Sequence, residues 1–207
     1  MGNPNAIMRA QMTLDDYKNS RYIVRPLHLF DMCLVNDGAV CLIVRRADLA
    51  RSLPNAPVLV AGWGEAKITH SKLRYLVQER LRPQMQVAVA QAMAMAGVDL
   101  SDIGHLEAYD AASIQLVNQI EGLGFCEPGT SLRAFADGEL AVGGRLPVNT
   151  AGGMMSESYM HGWNHVAEVV RQLRGDAGSR QIKGLSASMS VLAQTDQVHP
   201  IIYQMDA

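Results

Sequence analysis

The chain has 207 residues, 48% hydrophobic and 18% charged, which is enough apolar content for one buried core and too much for a disordered chain. The net charge is 18 − 20 = −2 and no long basic run occurs, so neither nucleic acid nor an anionic membrane surface is an expected partner. No stretch of about 20 apolar residues is present and the first 30 residues lack a signal-peptide core, so the expected compartment is the cytoplasm. Cys33, Cys41 and Cys126 are odd in number and form no CxxC pair; buried free thiols are expected, not a disulfide framework or a zinc site.

Residues 1–31 read as irregular and mixed in charge, extended around Arg25-Pro26-Leu27, like the tail of a larger unit. The run Ala39-Val40-Cys41-Leu42-Ile43-Val44 follows Asp37-Gly38 and suits a strand covered on both faces. A second strand is expected at Val58-Leu59-Val60-Ala61, stopping at Gly62. From Gln84 to Ala96 an Ala- and Met-rich helix is closed by Gly97 at the C′ position, and its nearly all-round apolar character predicts burial on more than one side. Residues 105–112 suit a strand leading into Ser113 as N-cap, and Ile114, Val117, Ile120 and Leu123 then form a helical stripe ending at Gly124.

Residues 124–153 form a long connection with glycines at 124, 129, 138, 143, 144, 152 and 153, a length usually tied to function or disorder. Tyr159, Trp163, Val166, Val170 and Leu173 then step by 4, 3, 4 and 3, predicting one amphipathic helix capped by Ser156 and stopped at Gly175. Strict alternation over Leu185–Val191 predicts a strand with one apolar and one hydroxyl face. Val198–Tyr203 is a last strand, where Pro200 suits an edge. The order β-β-α-β-α-loop-α-β-β argues for an α/β fold, a mixed central sheet with helices on both faces.

Two stretches carry candidate chemistry. Gly152-Gly153 ahead of a helix lets backbone N–H groups approach an oxyanion such as the enolate oxygen of a thioester. Tyr159, in the first helical turn, would have its phenolate favoured by the helix dipole. Spacing alone leaves open a plain helix start with a core tyrosine. In Glu107-Ala108-Tyr109-Asp110, a tyrosine and an acid at a strand-to-helix junction can face a cleft, and a half-buried tyrosine beside a capping aspartate is the open alternative. His161 and His165, with Glu157, raise a metal site. Glu157 and His165 would stand about 12 Å apart along a helix, too far to share one ion, so none is expected. Gly62-Trp63-Gly64-Glu65 lacks the third glycine and the lysine of a phosphate loop, and no GxSxG elbow occurs.

The blocks Arg25-Pro26-Leu27-His28-Leu29-Phe30-Asp31, Asn36-Asp37-Gly38-Ala39, Leu123-Gly124-Phe125-Cys126-Glu127 and Val148-Asn149-Thr150-Ala151-Gly152-Gly153 together resemble the thiolases related to sterol carrier protein X. That family folds as two similar α/β halves in a five-layer sandwich with a loop domain between them. The resemblance implies a thiolase-fold half: residues 1–31 as the end of the loop domain and residues 32–207 as the C-terminal domain. Where thiolases carry Gly-His-Pro-x-Gly, this chain has Ser158-Tyr159-Met160-His161-Gly162, so Tyr159 replaces the histidine. Tyr109 falls at the thiolase asparagine or histidine, and the penultimate strand, around Ser188–Ser190, lacks the second cysteine.

Two tyrosines at these positions resemble the lipid-transfer-protein-type aldolases of steroid side-chain degradation. The resemblance implies retro-aldol cleavage of a β-hydroxyacyl-CoA, with acyl-CoA as substrate, no cofactor and a small OB-fold partner of the DUF35 type. Tyr159 is expected as base, aided by His161, and Tyr109 as acid. Asn149, Gly152, Gly153 and Asp110 are expected around the oxyanion and substrate. Two other readings stay open: an acyltransferase (thiolase) half that takes its cysteine from an N-terminal half, and a non-catalytic lipid- or partner-binding scaffold. A half-thiolase exposes the face that its other half covers, so pairing with an N-terminal half or with a second copy is expected.

Overall fold

The computed structural model describes residues 2–67, 78–194 and 197–206. The first 31 residues, expected to be irregular, hold local structure. Helix α1 (Leu14–Asn19) starts from a capping box in which Thr13 Oγ1 accepts the Asp16 N–H and the Asp16 carboxylate accepts the Thr13 N–H. Strand β1 (Tyr22–Val24) turns back on β2 (Leu27–His28). Asp31 pins this segment to the domain, its carboxylate accepting from Ser113 Oγ at 2.6 Å, Tyr17 Oη at 2.7 Å and the His28 N–H at 2.7 Å. Burial opposes its charge, and the donors together outweigh that and lower its pKa. Further upstream, Ile7 and Met8 donate backbone N–H groups to the Glu157 and Ser156 carbonyls, and buried Asn3 donates to the Ala151 carbonyl at 2.9 Å.

The run 39–44, expected as a strand covered on both faces, forms no strand, and Ile43 and Val44 are 90% and 87% exposed. A strand needs a neighbour to take its backbone hydrogen bonds, and among the described residues none pairs with it. Cys41 lies on this run and is exposed, so of the three thiols only Cys126 is fully buried. A single turn, α2 (Ala47–Ala50), follows.

The sheet is built from β3 (Val58–Trp63), β4 (Ala66–Lys67), β5 (Ile103–Ala108), β6 (Ala187–Gln194) and β7 (Gln197–Met205). Its order is β3-β7-β6-β5, with β4 also on β7. β5 and β6 run parallel and the other pairs antiparallel, giving the expected mixed sheet. β7, expected at an edge because of Pro200, is central. The Pro200 carbonyl accepts from Gly64 N–H in the gap between β3 and β4. The nitrogen of a strand residue points to the same side as its carbonyl, so the missing N–H falls where the ladder is already broken.

Side-chain alternation gives the sheet two different faces. Leu106 and Ala108 of β5, Met189 and Val191 of β6, and Val198 and Ile202 of β7 pack into one apolar core with α3 (Gln78–Ala96) and α4 (Ser113–Gly122). α3 ends at Gly97 (φ 68°), as its composition predicts, but is buried along one stripe, Leu81, Met85, Ala88, Val89 and Ala92, with Val87 and Met95 half exposed. Gly62 and Gly64 serve this contact: a Cβ at Gly64 would lie 1.9 Å from the Ala88 carbonyl oxygen, and one at Gly62 2.2 Å from that of Ala92. Ala112, not Ser113, is the N-cap of α4, since the Ser113 hydroxyl is committed to Asp31; the buried face of α4 is Leu116, Gln119 and Ile120, while Ile114 is exposed.

The long connection contains α5 (Ser131–Ala136). The single helix expected from Ser156 divides into α6 (Gly153–Ser156) and α7 (Trp163–Arg174). His161 (φ 53°) and Gly162 (φ 89°) take left-handed conformations that no helix can pass through. α7 covers the second face of the sheet, where Val169 and Leu173 meet Tyr203 of β7. Helices therefore lie on both faces. Among the described residues no helix is long and apolar enough to cross a membrane.

Candidate functional site

The hydroxyl face read from the Leu185–Val191 alternation is the face beneath α7, and it is buried and polar. Ser188 and Ser190 lie there, with Ser188 Oγ 2.9 Å from His105 Nδ1 and Ser190 Oγ donating to Tyr203 Oη. Period two along β5 puts His105 and Glu107 on that face, and Tyr109 continues the alternation just past the strand end. Tyr109 is held by its backbone: its N–H donates to the Val191 carbonyl at 3.0 Å, and its own carbonyl accepts from Gln119 Nε2.

Tyr109 and Tyr159 meet, hydroxyl to hydroxyl, at 3.2 Å. Tyr159 lies in the connection between α6 and α7 and not in the first helical turn expected for it. Its backbone N–H donates to Asn36 Oδ1 at 2.7 Å, which gives the Asn36-Asp37-Gly38-Ala39 block a structural task. Tyr109 is 4% exposed. Burial, then the hydrogen bond with Tyr159, raises its pKa well above that of an ordinary phenol, so Tyr109 keeps its proton. His161 is exposed, and its ring stands edge-on to both phenols, with centroids 5.9 Å from Tyr109 and 6.1 Å from Tyr159. An open groove of about 460 Å³ leads to Tyr159 and His161, walled by Ala39, Val40, Leu42 and Trp163.

The remaining expected residues lie around the end of β5 and the start of α6. Asn149 (φ 47°) clamps the end of β5, accepting the Ala108 N–H at 2.8 Å and donating to the Ala108 carbonyl at 2.9 Å. The Gly152 N–H is committed to the Asn149 carbonyl at 2.9 Å. Asp110 is buried and receives the Met154 N–H at 2.8 Å, capping α6 across the fold. Gly153 is there because a Cβ would lie 2.2 Å from Asp110 Oδ2. Asp110 thus acts on the glycine loop by holding its backbone.

The sequence reading missed a buried charged chain beside Tyr109. His165, raised there only as a metal ligand, stands between Glu107 Oε2 on its Nδ1 and Asp110 Oδ1, at 3.0 Å, on its Nε2. Glu107 also faces His105 Nε2 at 3.0 Å and accepts the Thr150 N–H at 2.8 Å. Burial opposes both charges, but Asp110 and Glu107 raise His165 to about 10, and His105 with His165 lower Glu107 to about 2. The i, i+2, i+4 spacing of His105, Glu107 and Tyr109 was the available signal. Both His165 nitrogens are engaged by carboxylates while His161 stands outside the helix. Among the described residues no group of three His, Cys, Asp or Glu side chains is arranged for a metal ion.

Known proteins match this architecture. The chain is 42% identical over 179 residues to a steroid side-chain-cleaving aldolase of Thermomonospora curvata, covering 84% of this chain and 45% of that protein. It is 40% identical over 177 residues to the 17-hydroxy-3-oxo-4-pregnene-20-carboxyl-CoA lyase of Mycobacterium tuberculosis, covering 84% of this chain and 46% of that protein. The chain thus spans about half the length of these relatives. Among solved structures, an Ltp2-ChsH2(DUF35) aldolase superposes with a TM-score of 0.81 and 31% identity, over 99% of this chain and 55% of that one. Residues 67–197 match the family described as thiolase C-terminal domain-like, and the chain belongs to that family.

Proposed function

We propose that this chain supplies the acid–base site of an acyl-CoA carbon–carbon lyase that cleaves a β-hydroxyacyl-CoA of steroid side-chain type by retro-aldol reaction. The observation that carries the reading is the contact between the Tyr109 and Tyr159 hydroxyls at 3.2 Å, with Tyr159 lining the open groove. Tyr159, entering the step as phenolate, takes the proton from the substrate β-hydroxyl. The C–O double bond forms, the Cα–Cβ bond breaks, and its electron pair moves onto the thioester as an enolate. Tyr109, which keeps its proton at neutral pH, delivers it to the enolate carbon. One proton has moved from oxygen to carbon and nothing is oxidised, so no redox cofactor enters. Tyr159 then passes its proton to Tyr109 across the hydroxyl pair, which resets the site.

For the thioester oxygen we take the backbone N–H of Gly153, since the Gly152 N–H is paired with the Asn149 carbonyl and the Asn149 amide with Ala108, while Asp110 fixes the start of α6 through Met154. His161 stands at the open side of both rings, placed to assist proton exchange with solvent. The walls at Val40, Leu42 and Trp163 suit a bulky apolar acyl group. The exposed run 39–44 supports work in a larger assembly, with a thiolase N-terminal half or a second copy. The relative solved with ChsH2(DUF35) supports a partner of that kind here.

The test supplies 17-hydroxy-3-oxo-4-pregnene-20-carboxyl-CoA to the chain in its native assembly and follows products by mass spectrometry. A 17-ketone with the shortened acyl-CoA is the expected pair. A trapped acyl-enzyme instead would favour the acyltransferase.

A further inference from the structure

We infer that His165 is a positioning residue that sets the geometry of the two-tyrosine site through Glu107 and Asp110; the inference rests on the reading of Tyr109 and Tyr159 just given. Each His165 ring nitrogen faces a carboxylate oxygen, and an imidazole can donate from both nitrogens only when it is protonated. The result is a single cation between two anions, with His165 2%, Glu107 1% and Asp110 1% exposed.

The placement of this unit singles it out. Glu107 and Asp110 bracket Tyr109 on the chain. Asp110 Oδ1 is shared between His165 and the Met154 N–H of α6, and the residues after α6 carry Tyr159. His165 sits in the first turn of α7, whose N-cap Gly162 lies beside Tyr109, where a Cβ would stand in ordinary contact at 3.5 Å from Tyr109 Cδ2. One imidazolium therefore ties together the end of β5, the start of α6 and the start of α7, the three segments whose junctions present the two phenols. Buried ion networks commonly add little stability over hydrocarbon of the same shape. A network here is accounted for by what it orients.

The test uses His165→Gln in the chain in its native assembly, with steady-state kinetics on the same steroid acyl-CoA. A second readout is the ζ-carbon resonances of Tyr109 and Tyr159 in 13C-tyrosine-labelled protein, assigned from the Tyr→Phe variants. The expected result is a fall in kcat of about 100-fold, the scale of a misplaced catalytic group, with KM within about twofold and both ζ-carbon resonances shifted. Asp110→Asn serves as a second variant should the first fail to fold: it keeps an acceptor for Met154 but no longer accepts from His165 at full charge, and kcat should fall about tenfold. Wild-type kcat in either folded variant, or a fall in kcat with both resonances unmoved, overturns the inference. The resonances read position without turnover. Should Tyr109→Phe and Tyr159→Phe both keep full activity, the two-tyrosine reading fails, while the resonances still report whether His165 places the rings.

Discussion

Asn36 Oδ1 accepts the backbone N–H of Tyr159 at 2.7 Å, joining positions 123 residues apart. Tyr159 lies outside any helix, so this bond substitutes for helical structure in fixing one of the two phenols. Asn36→Ala should lower kcat about tenfold with little change in KM. Asn36→Asp keeps an acceptor oxygen and should retain most of the activity. Steady-state kinetics on the two variants checks the pair of outcomes.

Gly153 lies in the left-handed region (φ 59°) with Asp110 Oδ2 2.2 Å from where a Cβ would stand. Gly153→Ala combines backbone strain with a clash against a buried carboxylate that cannot withdraw. A loss of about 2 kcal/mol or more in unfolding free energy is expected, read from the denaturant midpoint.

Glu168 is fully buried and holds Arg180, with Arg180 Nη2 at 3.0 Å from Oε2, while Thr150 and Gln172 donate to Oε1. Arg180→Ala leaves the buried carboxylate with only the partly exposed Arg171, at 3.7 Å, as a cationic partner, so about 3 kcal/mol of stability should be lost. Arg180→Ala with Glu168→Gln should recover part of it. Paired unfolding curves measure both.

His165 and Glu107 set the pH limits of the fold. The folded pKa of His165, about 10, lies above its ordinary 6.5, so its stabilising effect is complete below about 6.5 and fades as pH rises through about 10. Glu107, lowered from 4.5 to about 2, contributes fully above about 4.5 and loses its effect as pH falls through about 2. Unfolding midpoints should therefore decline on the alkaline side between pH 7 and 10, and His165→Gln should flatten that decline. An alkaline slope unchanged in the variant would contradict the assignment.

Local periodicity made much of this architecture readable from the sequence. The helix closed by Gly97, β3, β6 and β7 lie where apolar spacing predicts them, because each depends on neighbours along the chain. Tyr109 and Tyr159 stood out less by spacing than by the thiolase residues they replace. The His165 chain was not legible, since its contacts to Glu107 and Asp110 span 58 and 55 residues. The run 39–44 reads as a covered strand because composition records that a segment is apolar, not whether a strand is there to pair with it. The break between α6 and α7 was hidden by the left-handed turn at His161, a residue type that favours no such conformation strongly enough to announce it.

The most direct test of the phenol pair is removal of one oxygen at a time. Tyr109→Phe and Tyr159→Phe should each reduce steroid acyl-CoA cleavage by about 100-fold or more, with an unchanged circular dichroism spectrum and a KM near that of the parent. A Tyr159→Phe protein that cleaves the thioester at the parental rate would contradict the account.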